Sequence, residues 1–301
     1  MMKTFGIVEK GCSLTIGNFD GVHKGHQFLL QTLKHEFGDP CVVVTFDPPP
    51  IFFLKKELLD YQLLTLETKV QYLLEQGIKG VAVISFDQAL SQCSAQEFCE
   101  LLYETFKPKG ILVGYDFKFG HDRKGNFEFL KSLETQFGWI VKQAPAFNFD
   151  GEVISSSLVR KALHQGECDE TLRLLGRPFR IEGLVQKGDQ RGRLLGFPTA
   201  NLHLLSQFLH PRKGVYEVQV HIPSLNKKGL RGVANFGIRP TFSLQEPQAI
   251  FEAHILNFHE DLYGQKIECE LLKFIRPEKK FNSIEELKTQ IRLDIETLSK
   301  P

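Results

Sequence analysis

A chain of 301 residues suits two domains of roughly 150 residues each, with ample core for both. Its 37 Lys and Arg against 36 Asp and Glu leave a net charge of +1, which gives no global pull toward nucleic acid, so phosphate recognition has to be local. A 42% hydrophobic, 24% charged composition excludes a disordered chain, and no apolar run approaches the roughly 18 residues that span a bilayer.

From Ile7 the pattern is strand-like and breaks at Gly17 to Gly25, after which Gln27 to Phe37 reads as a helix stopped by Gly38. The apolar run Cys41 to Phe46, the helical stretch Glu67 to Gln76, the strand-like Val81 to Ser85 and the apolar Ile111 to Gly114 continue an alternation of βα units. That alternation predicts an α/β half with a parallel sheet. Ligands on such sheets bind beyond the carboxyl ends of strands, where polar clusters follow Ile16, Phe46 and Val113. After Leu175 the character changes. Gly176 to Arg180 opens a region of short β segments, including Gly214 to Val220, Gly232 to Phe236 and Glu252 to Leu256, which predicts a small barrel. Ser283, with Glu285 and Glu286, starts a last helix to about Thr297 that spaces Ile284, Leu287, Ile291 and Ile295 along one stripe. The expected domains are residues 1–175 and 176–301. The first carries 18 basic and 22 acidic side chains and the second 19 and 14, so the neutral total conceals an acidic half and a basic half.

Six cysteines, Cys12, Cys41, Cys93, Cys99, Cys168 and Cys269, form no CxxC pair, and Glu9 and Lys10 interrupt any secretory core at the amino terminus. The expectation is a cytoplasmic chain with reduced thiols. It would act on small molecules, without nucleic acid or membrane partners, as a monomer or weak homo-oligomer.

The segment TIGNFDGVHKGHQFLL sets Asp20, His23 and His26 among glycines just before a helix, where backbone donors and the positive helix terminus favour phosphate. Three residues apart, the imidazoles share one face of the first turn and can donate to a triphosphate. A zinc site is a poor alternative because the pair lacks a nearby third ligand. This segment resembles the extended HxGH signature of nucleotidyltransferases. With VVVTFDPPP (Val42 to Pro50), VGYDFKFGHDRKG (Val113 to Gly125) and ISSSLVRKAL (Ile154 to Leu163), it resembles the amino-terminal module of bacterial bifunctional riboflavin kinase/FAD synthetases.

That resemblance covers most of the first half. It implies a Rossmann-like nucleotidyltransferase domain that joins FMN to the adenylyl group of ATP and releases pyrophosphate, with no covalent enzyme intermediate. It puts His23 and His26 at the triphosphate and Gly17, Asn18, Asp20, Gly25 and Asp116 around nucleotide and flavin. Ser156, Ser157 and Arg160, beside Ser155, match a second phosphate-binding motif, for which a plain serine helix cap is the alternative. Lys24 faces either phosphate or solvent. Family members commonly carry a histidine between the prolines where this chain has Pro49, and proline supplies neither a donor nor an acid.

In the second half, GLVQKGDQRGRLLGFPTANL (Gly183 to Leu202) joins a glycine and arginine loop to a turn carrying Thr199 and Asn201. Gly188 and Gly192 permit close backbone approach, Arg191 and Arg193 supply charge, and the side-chain oxygens of Thr199 and Asn201 suit a hard cation between phosphates. A solvated hairpin is the alternative, and the loop is not GxxxxGK[ST]. With GVYEVQV, GVANFGIRPTF and EAHILNFHEDLYG following, it resembles the riboflavin kinase domain across almost the entire second half. The implied fold is an antiparallel β-barrel with a carboxy-terminal helix. The implied reaction moves the γ-phosphate of ATP to the ribityl hydroxyl of riboflavin, with Thr199 and Asn201 at Mg2+ and nucleotide and Glu252 as general base. His254 reads as peripheral, and Asp261 and Tyr263 as turn formers. Arg276 either helps hold flavin or phosphate or forms a surface salt bridge. Phe197 and Phe236 serve equally well as core.

The expected function is synthesis of FMN and then FAD from riboflavin and ATP, both steps with Mg2+. Two alternatives stay open: a riboflavin kinase whose first half is degenerate at Pro49, and a nonenzymatic flavin- or nucleotide-binding regulator.

Overall fold

A computed structural model describes residues 2–54, 60–188, 192, 195–239 and 248–298. The chain forms two units, residues 1–58 with 62–156, and residues 59–61 with 157–301.

The first unit is built on six strands: β1 (Met2–Gly6), β2 (Ser13–Ile16), β3 (Cys41–Asp47), β4 (Gly80–Ser85), β5 (Gly110–Val113) and β6 (Ile140–Gln143). Their order is β1-β4-β3-β2-β5-β6, parallel from β4 to β6. The apolar runs of β3, β4 and β5 are buried along their length, as expected of parallel strands covered on both faces. Helices α1 (Lys24–Phe37), α2 (Pro50–Leu54), α3 (Leu66–Glu75), α4 (Gln88–Gln92), α5 (Ala95–Phe106), α6 (Phe127–Ser132) and α7 (Glu134–Phe137) lie between strands, and β7 (Asn148–Phe149) pairs with β8 (Glu152–Val153). The expected stop at Gly38 is the α1 C-cap, whose N–H bonds to the Lys34 carbonyl.

Two details differ from the sequence reading. The strand entering the glycine turn is Ser13–Ile16, not one beginning at Ile7, and β1 adds an antiparallel edge to the parallel sheet. That edge strand is mostly exposed, so it lacks the apolar run that reveals its neighbours. From β2 the chain steps outward one way through β3 and β4 and the other way through β5 and β6. The carboxyl end of β2 is therefore the topological switch point, the usual ligand crevice of such sheets.

In the second unit, α8 (Ser156–Gln165) and α9 (Cys168–Leu175) precede a closed antiparallel barrel of β9 (Phe179–Gln186), β10 (Ala200–Leu204), β11 (Gly214–Ile222), β12 (Lys227–Arg239), β13 (Gln248–Ile255) and β14 (Lys266–Arg276). The order is β10-β13-β12-β11-β14-β9, closed by Leu202 against Val185 and Asn201 against Gln186. Phe236, Phe251 and Tyr216 are buried in its core, which assigns Phe236 to packing. Ser283 caps α10 (Ile284–Glu296) by accepting from the Glu286 N–H, and Ile295 and Leu298 pack on Val215 and Val233. Among the described residues no helix is long and apolar enough to cross a membrane.

Candidate active sites

The turn from β2 to α1 is held in an unusual backbone conformation. Phe19 and Val22 have φ of 51° and 41°, a region costly for any side chain and worst for a β-branched one. Both side chains are buried, Val22 completely, so core packing offsets the strain and pins the turn. The Gly17 N–H bonds to the Val44 carbonyl (3.1 Å). The Asn18 carbonyl accepts from Thr45 Oγ1 (3.1 Å) and from Lys69 Nζ (3.3 Å).

His23 is the N-cap of α1. Its Nδ1 accepts from the His26 N–H (3.3 Å), so in the neutral ring the proton resides on Nε2. The two imidazoles stack with centroids 3.6 Å apart and planes 17° from parallel, realising the expected shared face. Gly25 makes this possible: a Cβ there would stand 3.2 Å from the His23 ring and 3.3 Å from the Ile154 carbonyl. Ser156, the last residue of the first unit, donates from Oγ to the Asp20 carbonyl (2.8 Å). The structure thus gathers Gly17, Asn18, Asp20, His23, Gly25, His26 and Ser156.

The other expected residues make contacts of their own. Both Asp20 carboxylate oxygens accept from the Leu63 N–H (3.0 and 3.3 Å), so Asp20 anchors the chain leading to α3. The Lys24 ammonium lies over the Phe149 ring, 4.3 Å from its centroid. Asp116 is exposed on the turn after β5. Ser157 and Arg160 group with the second unit, where the Arg160 guanidinium stacks 3.6 Å from the Tyr61 ring centroid and its Nε donates to the Tyr61 carbonyl (2.8 Å).

In the barrel, register aligns three polar side chains across adjacent strands: Asn201 on β10 opposes Glu252 on β13, which opposes Asn235 on β12. Directly opposed residues project to one face. All three line a cavity of about 300 Å³ whose apolar walls include Phe197, Val233, Leu287 and Ile291. Phe197 is therefore a cavity residue, as is His254, whose Nδ1–H donates to the Pro198 carbonyl (2.8 Å) and steadies the residue before Thr199. A second cavity, about 440 Å³, is lined by Gly188, Ala253, His259, Asp261 and Tyr263. Thr199 and Asn201 line both. Asp261 accepts from the Tyr263 N–H (3.0 Å), the expected turn contact.

Asn201 Nδ2 turns toward Thr199, 3.2 Å from its carbonyl and 3.4 Å from Oγ1, so the acceptor Oδ1 faces the other way, toward Gly188. Gly192 lies against Thr199 with no room for a side chain, since a Cβ would meet the Phe197 carbonyl at 2.4 Å. Arg191 and Arg193 lie outside the described residues.

Arg276 lines the smaller cavity, but its guanidinium is committed to Asp294 on α10: Nε contacts both carboxylate oxygens (2.9 and 3.1 Å) and Nη2 one (2.7 Å). Asp294 is only 3% exposed, so this is an internal clamp between β14 and the last helix, not a surface salt bridge. Asp294→Ala strands a mostly buried guanidinium. It is expected to destabilise the protein by at least about 2 kcal/mol, read as a lower denaturation midpoint for FMN-forming activity.

Sequence reasoning missed Asn235, Asp294 and Lys69. The last two have a readable signal. Asp294 falls seven residues after Leu287 and three after Ile291, and Lys69 falls between Leu66 and Leu73, so each is a charge on the apolar stripe of its helix.

The two-unit arrangement has a counterpart in known families. A model described as FAD synthetase matches residues 7–158, and one described as riboflavin kinase matches residues 175–300. The bifunctional riboflavin kinase/FMN adenylyltransferase of Escherichia coli (strain K12) is 41% identical over 290 residues, covering 95% of this chain and 91% of that protein. The chain belongs to the bifunctional riboflavin kinase/FMN adenylyltransferase family. A member from Haemophilus influenzae is 40% identical over 96% of this chain and 94% of its own. A solved structure from Streptococcus pneumoniae, described as a macrolide-efflux protein, shares the fold with a TM-score of 0.84 and 33% identity. It covers 95% of this chain and 93% of that one.

Proposed function

We propose that this family member phosphorylates riboflavin with ATP to give FMN and ADP in residues 176–301, and transfers AMP from a second ATP to FMN in residues 1–175, giving FAD and pyrophosphate. The observation that carries the reading is the row Asn201–Glu252–Asn235, with Thr199 and Asn201 standing between two cavities. The apolar-walled cavity suits the flavin ring and the other the nucleotide, so that the transferred phosphoryl group passes at Thr199.

Glu252 accepts the proton of the ribityl hydroxyl as its oxygen attacks the γ-phosphorus, a role that needs no covalent intermediate. Thr199 and Asn201 offer hard, uncharged oxygens, a donor set that suits Mg2+ when phosphate oxygens complete its shell. Bound there, the ion would neutralise charge on the transferring phosphate. Gly192 and Gly188 permit a phosphate to approach their backbone closely.

In the first unit, the proton on His23 Nε2 and the imidazole of His26 donate to the polyphosphate at the positive end of α1 while the FMN phosphate attacks the α-phosphorus. Asp20 holds the turn that carries them through the Leu63 N–H.

One observation favours the narrower, kinase-only reading. Pro49 is buried, and its carbonyl accepts from the Phe52 N–H (3.0 Å), so the position builds the turn into α2 and presents no side-chain donor. Product analysis separates the readings. Purified protein with riboflavin, ATP and Mg2+ is expected to accumulate FMN and then FAD. Sustained FMN without FAD leaves only the kinase, and binding without release of ADP or pyrophosphate leaves a nonenzymatic regulator.

A further inference from the structure

Among the described residues, Lys69 is the one buried lysine, at 4% exposure, and of the residues assigned to substrate its ammonium bonds to Asn18, through the backbone carbonyl. Its ammonium has three protons and three acceptors: the Asn18 carbonyl (3.3 Å), Thr45 Oγ1 (3.2 Å) and the Phe46 carbonyl (3.1 Å). Thr45 Oγ1 in turn donates a hydrogen bond to the Asn18 carbonyl (3.1 Å), closing a small network. These acceptors lie on two separate connections, the β2–α1 turn that carries His23 and the end of β3 that runs into the proline segment. α3 supplies the lysine that joins them.

A buried ammonium is an expensive brace. Burial pulls its pKa below the ordinary lysine value, and the nearby carboxylates of Asp20 and Asp47 oppose that shift. Leu66, Val70 and Leu73 occupy the same stripe of α3, so an apolar residue at position 69 would pack without the desolvation cost. Stability alone does not account for a lysine there. What the ammonium supplies, and an apolar group cannot, is a fixed distance between the two connections.

Resting on the reading that adenylyl transfer occurs at the His23/His26 turn, we infer that Lys69 is a positioning residue for that reaction, holding the β2–α1 turn and the end of β3 in register through Asn18, Thr45 and Phe46. Because the ammonium is buried behind the turn and its three bonds go to Asn18, Thr45 and Phe46, its loss should damage alignment more than binding. Displacement of a reacting group by about 1 Å can cost on the order of 100-fold in rate.

The test uses the full-length protein. Lys69→Met is expected to lower kcat for FAD formation from supplied FMN by about 10- to 100-fold, with KM for FMN and ATP changed less than about threefold. FMN formation from riboflavin, measured on the same preparation, should hold. Thr45→Val should lower the same kcat in the same direction, while Thr45→Ser, which keeps the hydroxyl, should restore it. A merely structural role predicts the opposite pattern, a lower melting temperature with kcat of the folded protein intact. If Lys69→Met fails to fold, the Thr45 pair decides: equal kcat in the Val and Ser variants overturns the inference. His26→Ala separates the two layers of argument. Full FAD synthesis in that variant overturns the site reading and the inference with it. Collapse there, with kcat intact in folded Lys69→Met and Thr45→Val, overturns the positioning role alone.

Discussion

Glu252→Gln is expected to lower kcat for FMN formation by about 10²- to 10⁴-fold, the range general-base catalysis supplies, while FAD formation from supplied FMN holds. The amide is nearly isosteric and keeps an acceptor oxygen, but it cannot take a full proton at neutral pH. Glu252 lies half-buried on β13 between Asn201 and Asn235, so the substitution should leave strand pairing undisturbed. KM for riboflavin should change little, because the carboxylate acts on a hydroxyl whose ring is held by the apolar walls around Val233 and Ile291. Steady-state FMN production with a matched melting curve checks this. A kcat close to wild type would remove Glu252 from the proton transfer and leave Asn201 and Thr199 to explain the rate by charge stabilisation alone.

His26→Ala should produce the complementary loss. FAD formation from supplied FMN is expected to fall about 10²- to 10³-fold, the usual cost of one preorganised donor at a centre of developing charge. FMN formation should be unaffected. The substitution removes the ring stacked on His23 at 3.6 Å but leaves the His26 N–H, so the cap bond to His23 Nδ1 and the start of α1 survive. A parallel decline of both activities would indicate loss of the fold, and circular dichroism of the variant distinguishes that from chemistry. Together the two substitutions dissect the chain into its two reactions without truncating it.

The legibility of these sites differed from element to element for identifiable reasons. β3, β4, β5 and α1 announce themselves because their apolar runs and caps are local. β1 does not, because an exposed edge strand has no such run. His23 and His26 are three residues apart on one helical turn, so their proximity is a matter of spacing alone. Glu252 is different. Nothing near it in the chain marks it, and only barrel register sets it beside Asn201, 51 residues earlier, and Asn235, 17 earlier. Arg276 shows how a distant partner adds to a reading, since it lines the cavity and is clamped as well. Its charge invites a role at phosphate, and Asp294, 18 residues on, absorbs that charge in a buried clamp.

Periodicity, caps and motif spacing therefore suffice to establish the α/β half, the β half, the last helix and the two motif clusters proposed to hold phosphate, since each depends on residues within a few positions of one another. Tertiary contacts assign the tasks. Asp20 becomes a backbone anchor for Leu63, Lys24 a partner of Phe149, and Lys69 a brace between two connections, because each role is set by acceptors or rings supplied from distant segments. Hydrogen bonds reach only about 3 Å, so which group a polar side chain serves is known once folding has decided what lies within that distance.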